Sequence, residues 1–308
     1  MNSPKISLIL PVFNAEKTIE KTLNSIIKQT FKDFEVIIID DGSTDLSHKI
    51  CDEYAVKDFR IHVIHKINEG VAAARQIGIN KTKGEYSIHI DADDWIEPTM
   101  LEELYNTAKA QNSDIVIADY FLNTDKFQKV CKQCPTSMNP QHILMDMFNN
   151  KLFGALWNKL IRTNLYKKYN ASFFQDINHC EDLLIWVQLL QNSDLQISYC
   201  PKPFYHYCTN PTSITNNFNR KTYETRIKFR DKLQELLKLS NASETIEKVS
   251  FGIFTEAFIN KVLTKEEINE GTKIYKKQIN QLSSLKWKLG FMLLSIGFIN
   301  ISHKLIHY

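Results

Sequence analysis

The sequence predicts an α/β fold in which a mostly parallel β-sheet is flanked by helices and followed by an α-helical C-terminal region. Short apolar, β-rich segments alternate with amphipathic segments in the first part of the chain, as in consecutive βαβ units. The strand segments lack polar alternation, which is typical of strands covered on both faces. From about residue 217 the sequence is lysine-rich and contains no proline, which indicates helices.

Five strands and the helices between them follow from these patterns. The strands are predicted at Ile6–Val12, Glu35–Asp40, Arg60–His65, Tyr86–Asp91 and Asp114–Asp119. The helices are predicted at Ala15–Gln29 with Asn14 as its cap, at Leu46–Ala55, from Val71 onwards, and from Pro98 to Gln111.

After about residue 121 the alternation weakens. Residues 121–140 are interpreted as a polar connection, and a boundary is placed near residue 216. Between them the sequence predicts a helix at Gln141–Phe148 and a helix that is opened by His179-Cys180-Glu181-Asp182 and continues from Leu183 to Gln191. It also predicts short strands at Leu195–Cys200 and Phe204–Cys208.

The bulk properties favour a globular cytoplasmic protein. Apolar residues make up 43% of the 308 residues and charged residues 24%. The net charge of +3 is too small to indicate a nucleic-acid partner. Its six cysteines show no regular framework, the N-terminal residues do not resemble a signal peptide, and no segment approaches the ~20 apolar residues that span a bilayer.

The unusual polar residues of the first part follow the strands directly. Asp91, Asp93 and Asp94 end one strand, and other polar clusters end its neighbours. Ligands of such sheets bind outside the carboxyl ends of the strands. Clustered carboxylates repel unless a cation lies between them, so one interpretation is a site for Mg²⁺ or Mn²⁺. The alternative is an acidic turn that caps the next helix.

A nucleotide in this crevice needs its phosphates neutralised and its base held. The sequence has neither the dinucleotide-binding glycine fingerprint nor a P-loop, which leaves the acidic cluster and its metal for the phosphates. Phe13 and Asp41 stand at the ends of adjacent strands and are suited to stack on a base and to accept its imide N–H. Read singly, Phe13 is equally explained as a core aromatic and Asp41 as a turn residue.

Five segments in this order resemble family 2 inverting glycosyltransferases with the GT-A (Rossmann-like) fold, and the resemblance covers residues 4 to 210. The segments are Pro11-Val12-Phe13-Asn14, Ile38-Ile39-Asp40-Asp41-Gly42-Ser43-Thr44-Asp45, Asn68-Glu69-Gly70-Val71-Ala72-Ala73-Ala74-Arg75, Asp91-Ala92-Asp93-Asp94-Trp95 and Glu181-Asp182. The family implies a nucleotide-sugar donor, most often a UDP-sugar, bound with Mn²⁺ or Mg²⁺. The implied nucleotide-binding residues are Pro11, Phe13, Asp41, Arg75, Asp91, Ala92 and Asp93.

The resemblance also implies individual roles. Asp93 is the usual metal ligand and Asp91 lies near the ribose and the metal. Asp94 and Glu181 are expected near the donor or acceptor sugar. Asp182 matches the general base, which must stand apart from the metal cluster to accept the proton of the attacking hydroxyl. Asp182 is otherwise explained as a cap of the helix that follows it.

The remaining expectations concern Trp157, the overall function and the roles of the three parts of the chain. Trp157 either stacks on a sugar ring or is a buried structural residue. The chain is expected to glycosylate a glycan or lipid-linked oligosaccharide in surface polysaccharide biosynthesis. Residues 1–120 would bind the nucleotide sugar, residues 121–216 the acceptor, and 217–308 form the helical region. The alternatives are a non-catalytic nucleotide-sugar-binding or glycan-binding module and a nucleotidyltransferase.

An apolar segment near the C-terminus, Leu289–Ile299, is flanked by lysines and Trp287. As a helix it would extend about 16 Å, roughly half the thickness of a bilayer's hydrocarbon core. It is expected either to lie on the inner face of the cell membrane or to cover the protein core. A third expectation is pairing with a second subunit in a homodimer.

Overall fold

The computed structural model of the protein describes residues 3–210, 218–295, 301–302 and 305–306. Within the chain two compact units are distinguished, residues 1–211 and residues 212–308. Each unit has its own buried core, and each is described by itself below.

The first unit is built on one twisted sheet. Its strands are β1 (Ile6–Val12), β2 (Phe34–Asp40), β3 (Ile61–His65), β4 (Tyr86–His89), β5 (Trp95–Ile96), β6 (Ile115–Asn123), β7 (Gln128–Cys131), β8 (Lys159–Arg162) and β9 (Ile197–Cys208). They lie in the order β3-β2-β1-β4-β8-β6-β9-β5, with β7 paired to β6.

The α/β sheet is confirmed, but it is mixed rather than mostly parallel. β3, β2, β1 and β4 are parallel, as is the pair of β6 and β9. β8 lies between β4 and β6 and runs antiparallel to both. Its first residue, Lys159, therefore lies at the same edge of the sheet as the carboxyl end of β4. The loop of residues 149–158 is brought to that edge.

Seven helices belong to the first unit and five to the second among the residues described. They are α1 (Ile19–Ile27), α2 (Ser47–Lys57), α3 (Val71–Lys81), α4 (Met100–Ala110), α5 (Pro140–Phe148), α6 (Asn164–Lys168), α7 (Glu181–Leu190), α8 (Arg220–Leu236), α9 (Ala242–Ile259), α10 (Lys265–Ile274), α11 (Lys276–Gln281) and α12 (Leu285–Ser295).

Three local predictions differ from the structure. Asn14 does not cap α1; it has a positive φ of 48°, and its side chain accepts the Thr44 N–H at 2.8 Å. The segment 121–140 is not only a connection, because it contains the end of β6 and the whole of β7. The two short strands predicted near residue 200 form one continuous strand, β9, whose pairing with β6 shifts register after Ala118.

The close packing of α3 on the sheet positions residues of the site. Ala72, Ala73 and Ala74 are buried, and α3 lies against β1 and β2. A Cβ added at Gly78 would stand 2.3 Å from Cγ2 of Ile9, so only glycine fits there at this helix–sheet distance. The small residues allow α3 to hold Arg75 above the carboxyl edge.

The second unit has a separate aromatic and aliphatic core. The buried residues of this core are Phe254, Phe258, Ile268, Ile279, Phe291, Leu294 and Ile306. Across the described part of both units, no helix has the length and apolar character needed to cross a membrane.

Replacing Gly78 by Ala should destabilise the first unit. The new methyl group meets the buried Ile9 side chain, and overpacking of this kind lowers the free energy of unfolding by about 1–3 kcal/mol. Gly252→Ala in α9 is the matched control, since no atom lies within 4 Å of the added Cβ and a helical Gly→Ala change is favourable. Scanning calorimetry measures both, and an unchanged melting temperature in Gly78→Ala would contradict the packing.

Candidate active site

The residues predicted from the strand ends do meet at one edge of the sheet. Phe13 follows β1 and is 50% exposed, as a stacking surface requires. The Asp41 N–H donates to the Val12 carbonyl at 2.8 Å, which holds the loops after β1 and β2 together. Pro11 lies in β1 opposite Ile39 of β2.

Asp41, which was predicted to accept the imide N–H of a base, is buried. Its side chain is 4% exposed. One carboxylate oxygen accepts Lys66 Nζ at 2.5 Å and the Glu69 N–H at 3.0 Å, and the other accepts the Gly70 N–H at 2.8 Å. Asp41 therefore holds the turn before α3 in place, and contact with a base would have to use the lone pairs that remain.

Arg75 is the centre of the site. Its Nη2 donates to Asp91 at 2.8 Å, and its Nη1 donates to Glu181 at 2.5 Å and to Asp182 at 2.6 Å. The guanidinium is almost fully buried. One cation on α3 thus joins the carboxylate after β4 to the acid pair that begins α7, and Glu181 of that pair lies 106 positions after Arg75 in the sequence. These three carboxylates and one guanidinium carry a formal charge of −2.

Asp182 is a buried carboxylate that is held at both of its oxygens. It lies in the first turn of α7, and its second oxygen accepts the Leu156 N–H at 3.1 Å. Burial, opposed by the positive charge of Arg75, raises the pKa of Asp182 to about 7. A base with a pKa near the working pH transfers protons efficiently.

The acidic turn after β4 suits a divalent cation. Burial and the neighbouring charge of Asp91 raise the pKa of Asp93, so a cation beside the pair would relieve an unfavourable interaction. The Asp91 side chain is 27% exposed. No group of three or more His, Cys, Asp or Glu side chains arranged as metal ligands occurs in the described residues. Two carboxylates still fit the usual binding of Mg²⁺ through one or two carboxylates and substrate phosphates.

Asp94 and Ala92 serve the structure of this turn. Asp94 is 1% exposed and accepts Tyr205 Oη and the Cys208 N–H, each at 2.7 Å. Burial, with the charges of Asp91 and Asp93, raises its pKa well above the usual value. Asp94 therefore ties the turn to β9 and does not face a sugar as expected. The Ala92 carbonyl accepts Thr22 Oγ1 at 3.0 Å.

Trp157 is a buried structural residue, which was the alternative to stacking on a sugar ring. It is 3% exposed and stacks on Tyr205, with ring centroids 4.3 Å apart. The exposed residue of this aromatic cluster is Phe153, which is 44% exposed and whose ring centroid lies 5.6 Å from that of Trp157. Phe153 is held at both backbone polar groups, because its N–H donates to Gln133 and its carbonyl accepts Lys159 Nζ.

Sequence reasoning missed several residues that shape the site. Buried Lys159 also donates to the Ala155 carbonyl at 2.8 Å and to Asn158 at 2.7 Å, and burial lowers its pKa to about 7. It closes the loop that presents the Leu156 N–H to Asp182. Asn178 accepts the Ala72 N–H at 3.0 Å at the start of α3. Lys159 lies two residues after Trp157, which the sequence did single out, whereas nothing in the sequence marks Phe153 or Asn178.

The mixed α/β sheet and its flanking helices are those of the GT-A class of glycosyltransferase folds. Residues 7–169 match the sequence profile described as "Glycosyl transferase family 2". EpsH of Bacillus subtilis is 33% identical over 254 residues, which are 80% of this chain and 73% of EpsH. The chain belongs to glycosyl transferase family 2.

Two further similarities extend over almost the whole chain. The cholesterol galactosyltransferase of Borreliella burgdorferi is 30% identical over 317 aligned positions, covering 98% of this chain and 79% of that protein. The crystal structure of S. aureus TarS 1-349 in complex with UDP-GlcNAc matches with a TM-score of 0.71 at 21% identity, covering 98% of this chain and 90% of that one. The TarS similarity establishes the likeness of fold.

Arg75→Met should destabilise the first unit strongly. It leaves the carboxylates of Asp91, Glu181 and Asp182 together without a counter-charge, and breaking a buried ion pair in this way costs about 3–5 kcal/mol. Arg75→Lys should restore only part of the loss, since one ammonium group does not reproduce the guanidinium fork. Thermal unfolding followed by circular dichroism measures both variants.

The control for this change is Arg220→Met, which removes an exposed arginine paired with Glu224 and Glu267. Exposed ion pairs contribute little to stability, so its melting temperature should stay close to that of the wild type. Equal melting temperatures for Arg75→Met and the wild type would show that Arg75 does not stabilise the site.

Proposed function

We propose that this protein transfers a sugar from a UDP-sugar to a hydroxyl group of an acceptor with inversion, using Mn²⁺ or Mg²⁺. The observation that carries the proposal is the Arg75 cluster, which brings Asp182 to the same site as Asp91. A metal-side carboxylate and a separate carboxylate with raised pKa are the two groups that a single displacement requires.

The donor and acceptor classes draw support from the relatives. TarS has been crystallised with UDP and with UDP-GlcNAc. One relative is named as a cholesterol galactosyltransferase and another, TarP of Staphylococcus aureus, as a poly(ribitol-phosphate) beta-N-acetylglucosaminyltransferase. Both names describe transfer of a hexose or an N-acetylhexosamine. We propose a glycan or lipid-linked hydroxyl as the acceptor, in the synthesis of a surface polysaccharide on the cytoplasmic side of the membrane.

In the proposed reaction Asp182 takes up a proton. The acceptor oxygen forms a bond to the anomeric carbon on the face opposite the diphosphate, and the bond from that carbon to the phosphate oxygen breaks. UDP leaves with the electron pair, and the proton of the acceptor hydroxyl passes to the Asp182 carboxylate. The Leu156 N–H holds that carboxylate in orientation.

The donor side is assigned to the opposite half of the site. A divalent cation bound there would supply Lewis-acid stabilisation of the leaving diphosphate. Asp91 and Asp93 are the residues proposed to hold it, and Phe13 is proposed to stack on the uracil with its exposed ring. On the acceptor side, Phe153 offers a rigid exposed ring three residues from the amide that binds Asp182.

Asp182→Asn and Asp93→Asn should have different effects, one on the rate of sugar transfer and the other on UDP affinity. Loss of the base should lower the rate of sugar transfer or donor hydrolysis by about 10²–10⁴-fold while UDP affinity stays near that of the wild type. Asp93→Asn should weaken UDP binding in the presence of Mn²⁺, because a metal ligand is lost. UDP release from a panel of UDP-sugars and calorimetric UDP titration measure these effects.

The matched control is Asp194→Asn, an exposed aspartate that pairs with Lys168 and Tyr169 on the surface. It should behave as the wild type in both assays. Full activity in both site variants would refute the assignment of Asp182 and Asp93. UDP binding without any UDP release from the wild-type protein would favour a non-catalytic binding module.

The pH dependence should reflect the raised pKa of Asp182. The base acts in its ionised form, so below about pH 7 a growing fraction is protonated and inactive, and kcat/KM should rise about tenfold per pH unit until it levels off near pH 7. Initial rates of UDP release at constant Mn²⁺ test this, with UDP affinity measured at each pH as the control. A flat profile between about pH 5 and pH 8 would contradict a base with this pKa.

A further inference from the structure

The helix α12 has two apolar sides, and only one of them belongs to the core of the second unit. Phe291 and Leu294 are 1% and 0% exposed. The Gly290 carbonyl accepts Ser302 Oγ at 2.7 Å, and a Cβ added at Gly290 would stand 2.5 Å from Ile306. These contacts determine which side of α12 faces inwards.

The other side of α12 presents large apolar residues to the surface. Leu285, Leu289 and Met292 are 70%, 44% and 59% exposed. Their spacing of four and three residues places them on one face of the helix, which we call the α12 stripe. Phe291 and Leu294 lie roughly opposite this face, so the helix is apolar on both sides. In a globular unit one apolar side is sufficient for packing.

The sequence segment that carries the α12 stripe has lysines as its only charged residues apart from histidine. At about 100° per residue, Lys286 and Lys288 fall on either side of the stripe. From Gly271 to Tyr308 the sequence contains lysines but no aspartate, glutamate or arginine. The lysines of this segment are Lys273, Lys276, Lys277, Lys286, Lys288 and Lys304. An apolar face between lysines is complementary to a surface that is apolar inside and negatively charged outside.

We propose that the α12 stripe inserts into the interface of a bilayer that contains anionic phospholipids. The described helix has 11 residues and is about 16 Å long, so it would lie in the plane of the membrane rather than cross it. Leu285, Leu289 and Met292 would enter the boundary between headgroups and acyl chains, while Lys286 and Lys288 meet the phosphates. A second copy of the chain is a poorer occupant, because a symmetric contact would bring these lysines together.

This surface goes beyond the proposed glycosyl transfer and does not depend on it. The test uses the full chain in sedimentation with vesicles of phosphatidylcholine alone and of phosphatidylcholine mixed with phosphatidylglycerol. The wild type should sediment with the mixed vesicles. The triple variant Leu285→Ser/Leu289→Ser/Met292→Ser should lose about tenfold or more in partition coefficient, since three apolar side chains no longer enter the interface.

Two further variants identify the cause. Lys286→Gln/Lys288→Gln should weaken binding to the mixed vesicles by roughly fivefold per lysine and leave any binding to neutral vesicles unchanged. The matched control Val56→Ser/Phe59→Ser removes two exposed apolar residues of the first unit, 88% and 89% exposed, and should bind as the wild type does. Circular dichroism of each variant verifies that the fold is retained.

Three results would overturn the proposal. The first is a wild-type protein that sediments with neither kind of vesicle. The second is equal binding by the wild type and the triple variant, and the third is an equal loss in the Val56/Phe59 control. If light scattering instead shows a wild-type dimer that the triple variant converts to a monomer, without vesicle binding, the α12 stripe is an interface between two copies.

Discussion

The buried guanidinium of Arg75 is the interaction on which the site depends. Its ion-pair partners are the carboxylates of Asp91, Glu181 and Asp182. Without a cation beside them, the ionised forms of these carboxylates would be unfavourable at this site. The arrangement explains why the first turn of helix α3 contains Ala72, Ala73 and Ala74 and why the helix also contains Gly78. The helix must lie close to the sheet for one side chain to reach both the end of β4 and the start of α7.

The opposing effects on Asp182 follow from the same constraint. Burial raises its pKa, whereas Arg75 and the Leu156 N–H lower it, and the balance leaves a carboxylate whose pKa is about 7. Lys159 contributes indirectly, because its ammonium group donates to the Phe153 and Ala155 carbonyls and so holds the loop that carries Leu156. A base with such a pKa is therefore a property of three elements that pack together, namely α3, α7 and the loop before β8.

Much of the first unit could be predicted because its signals are local. Apolar runs locate β1 to β4, and a parallel sheet places their carboxyl ends at one edge, so Phe13 and Asp91 were correctly expected there. The hydrogen-bond partners of individual carboxylate oxygens could not be predicted in the same way. Asp41 and Asp94 have acidic side chains at the expected places, yet both are turned to partners of their own chain.

The sequence by itself determined the class of fold, the edge that carries the site, and the family, since periodicity and motif order are written in neighbouring residues. Tertiary structure decided the mixed sheet, the burial of Trp157 and the exposure of Phe153. β8 enters between β4 and β6 from the opposite direction, and no local pattern indicates that insertion. The joining of Arg75 to Asp182 likewise depends on packing between residues 107 positions apart, which only the folded chain brings within 2.6 Å.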